Sequence, residues 1–183
     1  MVRLRVATTD DAQTVAELHA DSWRRFYRGA YADAFLDGDV VEERYAVWSR
    51  RLAEPGHRLT MMAEDDTEVA GFVHIEFDID DQWGSLIDNL HVRHDRRRGG
   101  VGRALVSGAA QAAVERARHR AVYLWVLEQN DAAQRFYRAI GGVGVETKLV
   151  PPPGGDPARL AGAPRSIRMA WPDASTLTGA QRQ

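Results

Sequence analysis

Between Leu86 and Leu105 the chain reads LIDNLHVRHDRRRGGVGRAL, and the residue types there converge on one chemistry. Arg93, Arg96, Arg97 and Arg98 lead into Gly99, Gly100 and Gly102, and these into Ala104, Leu105 and Val106. The apolar-rich run 86–92 predicts a buried strand, and the apolar residues after the glycines predict a helix. A helix N-terminus carries roughly half a positive charge and favours Asp or Glu in its first turn. This one is met by arginine and glycine. Glycine inside a helix costs about 1 kcal/mol relative to alanine. Both oddities are accounted for if an anion sits on the free N–H groups, because glycine lets a phosphate approach the backbone and arginine neutralises it. The plain alternative is a surface turn with solvated charges. The order strand, basic turn, glycines, helix favours the anion. No Gly-Lys-Ser/Thr follows, so the stretch is not a P-loop, and its glycine spacing departs from the dinucleotide fingerprint.

A second stretch, Glu128 to Gly142, sets Asn130 or Asp131 to cap a short helix that Gly141 ends, with Ala133, Phe136 and Tyr137 inside it. Together the two stretches resemble the GNAT N-acetyltransferase superfamily. Arg97-Arg98-Gly99-Gly100-Val101-Gly102 is similar to its acetyl-CoA pyrophosphate loop, Gln/Arg-x-x-Gly-x-Gly/Ala. Asn130, Ala133, Phe136, Tyr137 and Gly141 match its second signature position by position. Where the family often has Gly-Phe after that helix, this chain has Gly141-Gly142-Val143.

The resemblance implies an α/β (α+β) fold, a mixed central sheet of about seven strands with helices on both faces. Two middle strands, 86–92 and 121–127, would splay apart at one end to admit acetyl-CoA as co-substrate. The pantetheine arm would run along the backbone of Leu90, His91 and Val92. The pyrophosphate would take the loop of Arg97, Arg98, Gly99, Gly100, Val101, Gly102 and Arg103. Asn130, Ala133 and Tyr137 would hold the other side. The implied activity is N-acetyl transfer to a primary amine by direct attack in a ternary complex, with no metal.

Two pKa values then define the catalytic needs. A thiol has a pKa of about 8.5, so a departing CoA thiolate benefits from a proton donor. Tyr137, with an ordinary pKa of about 10, is the candidate general acid; otherwise it is a core tyrosine. The attacking amine, with a pKa of about 10.4, is neutral in only roughly one part in 10³ at pH 7. Glu76, on the strand before the splayed one, is the first candidate to remove its proton, since the family often has a base there. Asp88, Asn89 and His91 lie near the splay. His91 has the most suitable unperturbed pKa, although a lone strand histidine is more often structural. Direct attack needs no enzyme nucleophile.

The elements that must position these groups are legible around them. Val2, Leu4 and Val6 alternate with arginines as a first strand, and Thr8 to Asp11 cap a helix carrying Val15, Leu18, His19 and Ser22. Residues 23–48 mix aromatics with acids, either core with a solvated face or a lid whose acids attract a cationic amine. Val40 to Leu52 reads as a second helix. Strands follow at Arg58 to Glu64 and Glu68 to Phe77, joined by a turn at Asp65-Asp66-Thr67. Asp78 to Gly84 reads as an acidic loop. In the focal strand Leu90 and Val92 keep phase but Ile87 does not, which predicts a bulge near Asp88-Asn89. The helix after the glycines runs to about Arg118, a fifth strand covers Ala121 to Leu127, and Val143 to Val150 and Ser166 to Trp171 close the sheet. The Pro/Gly-rich segment between those last two is expected to be a mobile flap or a disordered insertion. Residues 1–172 form one domain on this reading, with 173–183 a frayed tail.

The whole chain, 183 residues with 44% apolar and 27% charged, bounds the alternatives. Its net charge of −2 makes the arginine cluster local, against a nucleic-acid binder. With no cysteine, disulfides, Cys-ligated metal and a Cys nucleophile are excluded. No apolar run reaches the ~18 residues of a membrane span and no leader is visible, so a cytoplasmic protein is expected. The rival within the same resemblance is a non-catalytic acyl-CoA-binding module in which Tyr137 is structural. The partner is a small-molecule or peptide amine, and a homodimer is open.

Overall fold

The computed structural model describes residues 2–65 and 68–178. Seven strands form one sheet: β1 (Val2–Val6), β2 (Arg58–Asp65), β3 (Glu68–Asp80), β4 (Gly84–Val92), β5 (Val122–Leu127), β6 (Val143–Leu149) and β7 (Arg165–Trp171). Their order across the sheet is β1-β2-β3-β4-β5-β7-β6. The β4–β5 pair is parallel and every other neighbouring pair is antiparallel. The mixed seven-stranded α/β sheet expected from the resemblance is therefore present.

The period-two alternation of the strands sorts side chains to two faces. On β2, Met61 joins a core with Val73, Ile75, Ile87 and Leu105, while Met62 packs with Phe72 and Trp48 in a separate one. The first face is covered by α4 (Val101–Arg116) and α5 (Asp131–Ala139), the second by α1 (Ala12–Phe26) and α3 (Val40–Ala53). The α4 helix approaches closely because its inner face is small. A Cβ at Gly108 would lie 2.6 Å from Leu4 Cδ1 and 3.1 Å from Met61 Cε. Burying a side chain such as Leu105 contributes about 1.5–3 kcal/mol.

Three expectations are corrected and one open alternative is narrowed. The acidic stretch after Phe77 is no loop at first: β3 runs on to Asp80, and β4 begins at Gly84. Asp78 has a positive φ of 51° and accepts from the backbone N–H groups of Arg118 and His119, while Asp80 accepts from those of Gln82 and Trp83. These acids fasten loops to strand ends, a tertiary demand that outweighs their low strand propensity.

The segment 151–165 is no free flap. It forms short turns at Pro153–Gly155 and Pro157–Arg159 and is tied to residues 30–32. Ala32 N–H donates to the Arg159 carbonyl at 2.8 Å, and Ala161 N–H to the Ala30 carbonyl at 2.9 Å. The Arg159 guanidinium pairs with Glu43 and stacks on Phe35.

Residues 173–178 do not fray. A single turn, α6 (Ser175–Thr178), puts Ala174 and Leu177 into the α4 core. The aromatic and acidic stretch 23–48 gives part of its aromatic surface to the core and pairs several of its acids. Trp23, Tyr31 and Trp48 are buried. Asp33 and Asp37 pair with Arg28, and Glu43 with Arg44. A one-turn helix, α2 (Asp33–Leu36), interrupts that stretch. Of the turn expected at 65–67, Asp65 ends β2, while Asp66 and Thr67 lie outside the described residues, as does the tail after Thr178.

Candidate active site

The parallel pair at the middle of the sheet is short. β4 and β5 pair only at Ser85 with Val122 and Leu86 with Tyr123. Beyond Leu86, β4 stays paired with β3 as far as Val92, and β5 with β7 as far as Leu127. The two inner edges thus part while their outer edges remain bonded, and the backbone of Leu90, His91 and Val92 lies on an unpaired edge. Buried backbone N–H and C=O groups need partners, so an extended polar chain is what such an edge accepts. The expected bulge is present: His74 faces Asn89 and Ile75 faces Ile87, leaving Asp88 as the extra residue.

Where β4 ends, a turn at His94–Arg96 leads to the start of α4. Gly100 is its N-cap, left-handed at φ 81°, with nothing within 4 Å of where a Cβ would stand. Arg98 also has a positive φ, 66°. The first helical hydrogen bond runs from Ala104 N–H to the Gly100 carbonyl at 3.0 Å. The amides of Val101, Gly102 and Arg103 therefore lie at the free, partially positive end of the helix. The Val101 side chain itself is buried in the core, which fixes the helix start.

The arginines of this stretch divide. Arg93 pairs with Glu68 and Asp95, both at 2.9 Å, and Arg96 with Glu68 at 3.2 Å. These two are structural rather than neutralising, because their charges are already met. Arg97 lies 4.3 Å above the Phe26 ring of α1. Arg98 and Arg103 form no ion pair among the described residues. Arg97, Arg98, Arg103 and the helix N-terminus thus carry positive charge that no ion pair among the described residues meets.

The opposite wall is α5. Asn130 Oδ1 accepts from Ala133 N–H at 3.1 Å, which caps the helix. Two glutamines that the residue pattern alone did not single out complete its seat. Gln134 Nε2 donates to the Glu128 carbonyl at 2.7 Å and the Leu127 carbonyl at 3.3 Å. Gln129 Nε2 donates to the Arg28 carbonyl at 2.7 Å, tying the start of α5 to the end of α1. The only signal for them was their place beside the capping asparagine. A Cβ on Gly102 would lie 3.5 Å from Phe136, which brings α5 to the start of α4.

Tyr137, the next residue, is buried with its ring edge-on to Trp171 at 6.2 Å. Burial, and then the neighbouring Tyr27, hold its phenol above the ordinary tyrosine range, against a smaller opposing effect of Arg97. It is therefore protonated at neutral pH. Tyr27 is itself pushed up to about 12, chiefly by burial and further by Asp88.

On the α1/α3 side of the splay stand His74, Glu76 and Asp88. Glu76 faces Leu86, the last rung before the strands part, and its carboxylate lies 3.4 Å from Arg58. Asp88 accepts from Arg51 at 2.8 Å and from Asn89 Nδ2 at 2.6 Å. His91 does not join them. Its ring is buried, 2.8 Å from Ser22 Oγ through Nδ1 and stacked 4.6 Å from His19, and burial pushes it down to about 4. Only its backbone remains at the gap. The geometry thus brings Glu76 and Asp88 together at the mouth and removes the His91 side chain from it.

Comparison with known proteins agrees with this architecture. The chain is 26% identical over 181 residues to the uncharacterized N-acetyltransferase YuaI of Bacillus subtilis, covering 97% of this chain and 96% of that one. Its fold is similar to that of the PaiA N-acetyltransferase from Thermoplasma acidophilum in complex with coenzyme A, with a TM-score of 0.70 at 17% identity over 93% of this chain and 98% of that one. It is also similar to mutant forms of the spermidine/spermine N-acetyltransferase SpeG from Vibrio cholerae, with a TM-score of 0.67 at 14% identity over 98% of each chain. Residues 13–141 match the acetyltransferase (GNAT) family, a span holding the splayed strands, the glycine-arginine loop and the Tyr137 helix, and the chain accordingly belongs to that family of acyltransferases.

Proposed function

We propose that this chain transfers an acetyl group from acetyl-CoA to a primary amine by direct attack. The observation that carries the reading is the parting of β4 and β5 after Leu86 and Tyr123, followed in the chain by the helix N-terminus at Gly100 and by the helix that carries Tyr137. In this reading the pantetheine arm lies along Leu90, His91 and Val92. The diphosphate sits on the amides of Gly100 to Arg103, with Arg97, Arg98 and Arg103 around it. The glycines fit this role, since the space beside Gly100 is open and a charged group can reach the backbone. Asn130 and Ala133 fix the helix that carries Tyr137.

The amine approaches from the α1/α3 side, past Asp88 and Glu76. Its nitrogen forms a bond to the thioester carbonyl carbon, and the carbon–sulfur bond breaks as the tetrahedral adduct collapses. Glu76 takes the proton that the amine must lose, directly or through water. Tyr137 shares its proton with the departing sulfur. Its raised pKa keeps that proton in place until sulfur develops charge. The resemblance to a spermidine/spermine enzyme supports a small amine as acceptor. Calorimetric titration of the full chain with acetyl-CoA, with dephospho-CoA and ATP as comparisons, tests the carrier. A panel of amines followed by thiol release tests the transfer. Failure to bind acetyl-CoA by folded protein overturns the reading.

A further inference from the structure

His74, on β3, has one ring nitrogen unaccounted for. Its Nδ1 lies 2.8 Å from Thr60 Oγ1 on β2. Its Nε2 is buried with no hydrogen-bond partner among the described residues, in a residue that is 1% exposed. A buried polar atom left unmet costs about 1–3 kcal/mol, so such an orphan calls for an occupant. A neutral imidazole carries one N–H and one bare lone pair. With the proton on Nδ1, directed at Thr60, Nε2 presents a bare lone pair.

The groups beside it are also acceptors. A ring nitrogen of His74 and carboxylate oxygens of Glu76 and Asp88 lie within 4.8 Å of one another. Among the described residues their counter-ions engage one oxygen of each carboxylate. Arg51 and Asn89 both donate to Asp88 Oδ2, and Arg58 lies against Glu76 Oε2. Ligating imidazoles and carboxylates are commonly held this way by outer partners that fix their orientation. Here Thr60, Arg51, Asn89 and Arg58 are those partners.

We propose that His74, Glu76 and Asp88 form a divalent-metal site of one imidazole and two carboxylates. The imidazole favours Zn²⁺ or a similar transition ion over Mg²⁺ or Ca²⁺. The neighbouring Arg51 and Arg58 oppose a dication, so the site is reversible rather than structural. It lies at the mouth of the splay, and an occupying ion would take Glu76 and bar the amine. That last consequence rests on the transfer reading; the binding itself does not.

The test uses the full chain, stripped with a chelator and free of acetyl-CoA. Co²⁺ is followed by its visible absorption and Zn²⁺ by calorimetry. The expected result is saturation at one ion per chain, with affinity falling at least about tenfold in His74→Asn and in Asp88→Asn. Asparagine can keep the Thr60 contact but does not reach the Nε2 position, so His74→Asn separates ligation from packing. Circular dichroism and thermal melting check that each variant folds, and Glu76→Gln replaces any that does not. Absence of saturable binding overturns the proposal. So does unchanged affinity in the variants, which assigns the ion to the exposed His57, His94 or His119. Neither outcome depends on whether the chain acetylates an amine.

Discussion

Leu86 and Tyr123 face each other across the last rung that β4 and β5 share. From that rung the two strands diverge, with the start of α4 after the end of β4 and the Tyr137 helix after the end of β5. Each group assigned to the carrier or to the chemistry can be removed separately.

Gly100 stands at φ 81° with open space where a side chain would go. Gly100→Glu adds left-handed strain of about 1–2 kcal/mol and a carboxylate where a diphosphate is assigned. Acetyl-CoA affinity should fall by about 100-fold or more, since an anion and a helix N-terminus are attracted and two anions repel. Calorimetry measures it, and unchanged affinity removes the phosphate cradle.

Tyr137→Phe keeps the ring against Trp171 and deletes only the hydroxyl. Turnover should drop about 10²-fold, in the range of general acid catalysis, while acetyl-CoA affinity changes little. Equal turnover would return Tyr137 to a packing role.

Arg97 is joined to Phe26 by stacking, so Arg97→Lys is not a neutral exchange. Acetyl-CoA binding should weaken about tenfold and become less sensitive to salt, because one cation near the anion loses its fixed position. Titrations at two ionic strengths distinguish this from a loss of fold. An identical salt response in the two proteins would exclude Arg97 from the anion site.

Buried imidazoles also link pH to folding, His19 among them. His74 and His91 take up a proton in the folded chain only at about 4, mainly because of burial. In the unfolded chain they do so near the ordinary value of about 6.5. Between those limits the unfolded state holds more protons, so stability is complete above about 6.5 and falls as pH drops towards 4. Each imidazole contributes on the order of 3 kcal/mol across that window. Urea denaturation near neutrality and at about pH 5 reads the slope. His91→Gln should flatten it by one proton's worth, and a slope unchanged by that substitution refutes the assignment to His91.

Much of this was legible along the chain, and the parts that were not share a cause. The slip in phase between Ile87 and Leu90 announced the Asp88 bulge, because a strand face is a local property. The glycines announced the helix start for the same reason. The fate of the arginines was hidden, because Glu68, which holds Arg93 and Arg96, sits on the neighbouring strand. Asp78 looked like loop chemistry and instead anchors the residues that follow α4. The His91 ring gave no sign that Ser22 and His19 would enclose it. Local periodicity reports which face a residue takes; it does not report which distant element arrives there.

The Pro/Gly-rich segment ties the far end of the chain to the turn between α1 and α2, through Arg159 and the carbonyl of Ala30. Every group assigned to the acyl carrier falls between residues 90 and 137, whereas this clamp joins residues 30–32 to residues 159–161. Lengthening or trimming residues 151–165 would therefore act on the turn between α1 and α2 and leave the residues assigned to the carrier in place.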